Sequence, residues 1–449
     1  MPARIALVAA LVLSLAACSG PSADVPSVAP AVPATPTPTA SPAPAAAASA
    51  IFLHPDGMGA NTWMATRLMT VGPDGRLAWD QLPRVAMYVG PTTDAVNQSS
   101  NAGATTHAYG VRAKLDSYGA IDGQPPVAAS GKPLSLMREA QAAGKKIAIL
   151  NSSSLTEPGT GAFLASVANR DDEAEIAAQI LAAGPDYALG GGEMFFLPKG
   201  VQGRHGEGAR EDGRNLIEEA QAAGYTVVYT REELAALPRE ATRVLGLFAH
   251  EETFNEGDEA ALAAAGLPPF QPQAPRFDEM LAFLLERLRD APQGYFIVGN
   301  EEATDNLSGE NNATATLEAA AGADRAIALA LTEAGRNPAL TVVVASDSDN
   351  GGMNATSDDL NDSEDLPRPL PAHTAVGSPL DSDNGEPFLT PPDRDGNRIP
   401  FYITWASDSD SAGGLVARGI GPGAERIEGT IDATEVYQAL RQGLFGQAP

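Results

Sequence analysis

Between Asn97 and Lys114 the chain reads N-Q-S-S-N-A-G-A-T-T-H-A-Y-G-V-R-A-K. Serine and asparagine ahead of a run of small residues predict a helix start, with unpaired N–H groups and the positive end of the helix dipole at Ser99 and Ser100. Such an end draws anions, phosphate among them, and helps a serine act as a nucleophile. A serine at a helix start is also an ordinary cap, so this stretch alone does not separate the two roles. A second candidate is His54-Pro55-Asp56-Gly57-Met58-Gly59, which sets a carboxylate in a tight turn directly after the apolar run Ala50–Leu53.

These groups need elements to hold them. An apolar strand ending in Asp-Gly puts its carboxylate at the carboxyl edge of a sheet, where α/β proteins bind ligands. Further runs of this kind are Lys146–Leu150, Tyr295–Val298 and Leu340–Ala345, and helical patterns cover Asp172–Ala183, Asn215–Ala223, Phe277–Arg289 and Ala313–Ala334. Strands alternating with helices predict an α/β fold, a central, mainly parallel β-sheet sandwiched between helices. Lys199–Gly213 and Asn354–Arg398, rich in Gly, Pro and Asp, read as surface insertions.

The first fifty residues have another character. Arg4, the apolar run Ile5–Leu15 and then Leu15-Ala16-Ala17-Cys18 have the form of a signal peptide ending in a lipobox. Cys18 is the only cysteine of the 449 residues, which favours a lipidated residue over an incidental one. Residues 19–50, almost all Pro, Ala, Ser, Thr and Val, read as a tether, leaving 51–449 as the folded domain. The expectation is an exported lipoprotein on the periplasmic face of the outer membrane of a Gram-negative cell, touching the membrane only through its lipid anchor. With 57 acidic against 29 basic residues the net charge is −28, which argues against nucleic acid as a partner and leaves many oxygen ligands for cations.

The succession of F-L-H-P-D-G-M-G, S-S-N-A-G-A-T-T-H-A-Y-G-V-R-A-K, Ala188–Gly192, Leu245–Ala249, Val342–Asp347 with Gly351-Gly352-Met353, and Ala417–Glu425 resembles the alkaline phosphatase family, in the family's order, from about residue 51 to the C-terminus. The resemblance implies that family's α/β sandwich, a covalent phosphoserine mechanism, phosphate or small phosphate esters as ligands and often a homodimer. It makes Asp56 the metal-bridging aspartate, Ser100 (ten residues before Gly110) the nucleophile, Arg170 the phosphate-binding arginine, and Asp305 and Asp347 further metal carboxylates. Other positions depart from the pattern. Ser99 stands for an aspartate that buttresses the arginine, Gly159 (beside Thr160) for a hydroxyl ligand, and Asn300 for a magnesium-site glutamate. Gly309, Ser348 and Asp410, or Asp408 if the gap lies elsewhere, stand for the three zinc-binding histidines.

Without those imidazoles a standard two-zinc centre is not expected. One reading is an oxygen-rich centre of Asp56, Asp305, Asp347 and Asp410 that takes magnesium or calcium in preference to zinc and still hydrolyses phosphate monoesters. The alternative is a catalytically impaired pseudophosphatase that binds phosphate, phosphoesters or divalent cations. Asp-Ser-Asp recurs at 347–349, 381–383 and 408–410, and two copies continue into Asn-Gly, resembling the start of a calcium loop, although acidic surface turns use the same residues. Of the five histidines, His54 shares the strand face of Asp56 and reads as a buried structural residue before a replacement ligand. His107 reads as packing, His373 as surface, and His205 and His250 show no partners in the sequence.

Overall fold

A computed structural model describes residues 47–357, 369–374, 377–383 and 385–446. The signal segment with Cys18, the tether as far as residue 46, and Asn384 lie outside the described residues. Among the described residues, no helix is long and apolar enough to cross a membrane.

Ala50–Leu53 is apolar at every position, as befits a strand covered on both faces. It lies in β1 (Ser49–Pro55), followed by β2 (Arg84–Val89), β3 (Lys146–Ser154), β4 (Tyr187–Gly191), β5 (Thr226–Val228), β6 (Val244–Leu247), β7 (Tyr295–Glu301) and β8 (Leu340–Val344). With β15 (Val416–Ile420) and β16 (Glu428–Asp432) these form a ten-stranded sheet ordered β16-β2-β15-β8-β1-β7-β3-β4-β6-β5. Only β15 runs antiparallel to its neighbours, so the expected mainly parallel sheet is present.

The period of two sorts the strand side chains into two cores. Ala50, Phe52, Ile147, Ile149, Phe296 and Val298 enter one, with helices Ser100–Tyr109, Leu136–Ala142, Glu173–Ala183, Leu216–Ala222 and Thr434–Phe445. Ile51, Leu53, Ala148, Leu150, Tyr295 and Ile297 enter the other, with helices Phe277–Leu288 and Ala313–Arg336. The four helices expected from the sequence each begin within one residue of the expected start. Asn215 and Asn312 cap two of them, accepting from the N–H groups of Glu218 and Ala315.

The segment Asn354–Arg398 is more than a surface insertion. It supplies β10 (Asn354–Thr356), β11 (Leu380–Asp381) and β12 (Phe388–Leu389), which pair antiparallel with β13 (Pro400–Thr404) over a third core that includes Phe388, Phe401 and Trp405. These strands are two or three residues long, too short for a periodicity to show among glycines and aspartates. Lys199–Gly213 is likewise anchored, through the buried guanidinium of Arg210, which donates to the Phe195 carbonyl at 3.0 Å and to Asp212. Two further short strands, β9 (Asp349–Asn350) and β14 (Asp410–Ser411), pair with each other beyond the end of β8.

Candidate functional site

β8, β1 and β7 are consecutive in the sheet, and their carboxyl ends lead to Asp347, Asp56 and the segment Asn300–Asp305. Asp56 is fixed by its backbone: its N–H donates to the Glu301 carbonyl at 3.2 Å, and its carbonyl accepts from Thr304 Oγ1 at 2.6 Å. The turn after it requires glycine. Gly57 has φ +62°, and a Cβ there would fall 2.3 Å from Asp305 Oδ1, so this position lets the two aspartates approach each other.

The expected helix start is present, and it divides the two serines. Ser99 is the cap: its Oγ accepts from the Ala102 N–H and donates to the Leu115 carbonyl at 2.5 Å. Ser100 is the first residue inside the helix, so the capping role that competes with a chemical one belongs to its neighbour. The helix is buried at all ten positions, which accounts for its small residues. One turn on from Ser100, a Cβ on Gly103 would fall 2.3 Å from the Asp347 Cβ, so the first turn of this helix lies directly on Asp347.

His54 is fully buried, as the sequence favoured, and it stands inside the carboxylate group. On β1 it is registered against Asn300 of β7, and Asp347 follows β8 on the other side. Its Nδ1 lies 2.7 Å from Asn300 Oδ1 and 3.8 Å from Asp56 Oδ2, and its Nε2 lies 3.3 Å from Asp347 Oδ1. One ligand atom from each of His54, Asp56 and Asp347 can be chosen so that all lie within 4.8 Å of one another. His107 packs, as expected: it is fully buried, its Nε2 meets Tyr88 Oη at 2.8 Å, and its ring stands edge-on to His54. His373 is exposed; His205 and His250 turn Nε2 to backbone carbonyls.

Asp410 reaches the group and Asp408 does not. Asp410, on β14, accepts from Ser348 Oγ at 2.6 Å and raises the carboxyl of Asp305 by its charge, whereas Asp408 is exposed and accepts from the adjacent Ser409 hydroxyl. The other substituted positions are filled by neighbours. Asn300 occupies the space above Gly159, where a Cβ would fall 2.2 Å from its side chain, and Thr160 is engaged by Asn151 at 3.1 Å. Asn350 lies beside Gly309. Arg170 is held by Glu157 at 3.0 Å, and its charge only partly offsets the burial that raises the carboxyls of Glu302 and Asp410. Glu302, whose carboxylate receives Asn300 Nδ2, belongs to the site although the sequence did not single it out. No periodic signal marked it: Glu302 follows the last residue of β7 and has helical backbone, so its place beside Asn300 comes from the turn between strand and helix.

Electrostatics show what the group requires. Burial, then the charge of Asp347, holds the Asp56 carboxyl well above its ordinary value. Asp305 is raised by burial and then Asp410, Glu302 by burial and then Glu157, and Asp410 reaches about 6 through burial and then Asp347. Burial also presses Asp347 upward, but the adjacent His54 brings it down to about 2. So many carboxylates in one dry place need protons or a cation. The residues fit a cation: no donor reaches Asp56 Oδ2, either oxygen of Asp347, or His54 Nε2 among the described residues.

The alkaline phosphatase family model matches residues 47–367. Streptomycin-6-phosphate phosphatase of Streptomyces griseus is 31% identical over 344 residues, covering 67% of this chain and 73% of that protein. The alkaline phosphatase of Gadus morhua is 27% identical over 328 residues, covering 65% of this chain and 66% of the relative, so the match spans just under two thirds of the cod protein. Among solved structures, the alkaline phosphatase of Thermus thermophilus superposes with a TM-score of 0.68 at 21% identity, covering 90% of this chain and 93% of that one. That of the Antarctic bacterium TAB5 gives 0.67 at 17%, covering 90% and 99%.

Proposed function

The chain belongs to the alkaline phosphatase family, and on that premise we propose that it hydrolyses phosphate monoesters through a phosphoserine at Ser100. The observation that carries the reading is the position of Ser100. It sits inside the N-terminus of a buried helix, relieved of capping by Ser99, and that helix rests on Asp347.

In the proposed reaction the Arg170 guanidinium takes two non-bridging phosphate oxygens, a bidentate contact suited to its planar fork. Ser100 Oγ forms a bond to phosphorus as the ester P–O bond breaks, and the hydroxyl proton ends on the leaving alcohol. Water then cleaves the Ser100 phosphoester and returns the hydroxyl. Glu157 orients Arg170, a task the resemblance assigns to the residue at Ser99. Asp56, Asp305, Asp347 and Asp410 would hold divalent cations, which supply activation of the serine hydroxyl and offset charge on the leaving oxygen. The all-oxygen part of the group, Asp305 with Asp410, suits magnesium or calcium.

Rapid acid quenching with a 32P-labelled phosphomonoester tests the reading. Label is expected on the Ser100 peptide, and Ser100→Ala should lose it together with hydrolysis. Phosphate release that persists in Ser100→Ala, with no labelled peptide, would exclude the phosphoserine.

A further inference from the structure

We propose that His54 supplies the nitrogen ligand of a transition-metal site whose oxygen ligands come from Asp56 and Asp347. The inference shares with the proposed hydrolysis the premise that these carboxylates receive a cation, and it does not require turnover.

The orientation of the ring is set by its neighbours. Asn300 Nδ2 donates to Glu302, which leaves Asn300 Oδ1, an acceptor only, facing His54 Nδ1 at 2.7 Å. Nδ1 therefore carries the proton of a singly protonated ring, and in that form Nε2 presents a bare lone pair; the doubly protonated ring is the form whose charge lowers Asp347. That lone pair stands 3.3 Å from Asp347 Oδ1, outside hydrogen-bond geometry, and both atoms lack a donor. Two buried lone pairs that close repel unless a proton or a metal cation lies between them, and the site proposed here takes the metal.

A histidine that donates one ring nitrogen to an amide or carboxylate partner and turns the other inward is the usual arrangement of a metal-binding imidazole. The ring is also immobilised: it stacks on Phe52 with centroids 5.7 Å apart, and His107 stands edge-on at 5.5 Å. One nitrogen with two carboxylates suits zinc, manganese or cobalt better than calcium or magnesium.

The test uses the full chain freed of metal by chelation and titrated with zinc by calorimetry. Zinc should bind at this site. Its affinity should fall by about 10–100-fold in Asn300→Leu, which frees the ring, and by more in His54→Gln, with magnesium binding little changed. One equivalent of copper(II) should show nitrogen hyperfine coupling in its electron paramagnetic resonance, lost in His54→Gln. Should His54→Gln not fold, the Asn300 variant and the wild-type spectrum still decide.

Zinc affinity indifferent to both substitutions, with no nitrogen coupling, would overturn the site. It would mean that the Asn300 amide is reversed and Nε2 donates a proton to Asp347. Zinc bound through His54 without any phosphate release would leave this inference standing and defeat the proposed hydrolysis.

Discussion

Asp347-Ser348-Asp349 and Asp381-Ser382-Asp383 are the same tripeptide, each followed by Asn-Gly, and the structure gives them opposite circumstances. Asp381 faces donors: Oδ2 accepts from the Ala313 N–H at 2.8 Å, at the start of a 24-residue helix, and Oδ1 accepts from the Ser382 N–H at 2.8 Å. Its neighbour Glu259 accepts from the next helix residue, Thr314, at 3.1 Å. Asp347 faces acceptors, with both oxygens lacking a donor and Asp56 and His54 around it. The resemblance to a calcium loop therefore does not hold for Asp381, whose carboxylate caps a helix. What separates a cation site from a cap is the groups opposite the carboxylate, and three residues of sequence do not contain them.

The contrast can be broken most forcefully at Asp347. Asp347→Asn should lower phosphomonoester hydrolysis by several kcal/mol of transition-state stabilisation, on the order of a thousandfold. It should also shrink any rise in thermal stability on adding divalent cations. Asp381→Ala should leave both responses intact while costing about 0.5–2 kcal/mol of stability as a lost cap, measurable by urea unfolding. A cation response lost through Asp381 rather than Asp347 would reverse the assignment.

A smaller effect separates holding cations from holding the anion. Arg170→Ala should weaken inorganic phosphate binding by about 1.5–3 kcal/mol, read by calorimetry, with the cation response preserved.

The smallest effect concerns pH at the cap. Burial, and then Asp381, raises Glu259 from an ordinary 4.5 to about 7. The folded protein therefore keeps a proton in that window which the unfolded chain releases, so this group's contribution to stability declines as pH rises from 4.5 through 7. Unfolding in urea at pH 5 and pH 8 should show a weaker pH dependence in Glu259→Gln. An unchanged dependence would place the titration elsewhere.

The parallel sheet was legible because apolar runs such as Lys146–Leu150 carry their own signal, and helix starts such as Asn312 carry their caps. Asp56, Asp305, Asp347 and Asp410 lie near enough to act on one another by charge, and their role as metal ligands stays an expectation from the motifs. His54 was seen on the right face of its strand, but its place within the group depends on Asn300, 246 residues away, and on Asp347. Neither separation leaves a local pattern. The choice between Asp408 and Asp410 was likewise decided by pairing, since β14 registers Asp410 against Asn350. Cys18 lies outside the described residues, and its lipidation stays an expectation from the sequence.

The helix that begins at Ser100 is packed at every position and stoppered at its far end by Gly110 in the left-handed conformation. Such an element has no low-energy way to open by itself: its amide protons can reach solvent only when the sheet beneath it comes apart. Exchange of the Ala104–Ala108 amides with heavy water should accordingly report the opening of the whole domain. The serine proposed for chemistry thus has no local fraying of its own, and a phosphate ester bound as proposed would meet a surface already in place rather than one assembled on arrival.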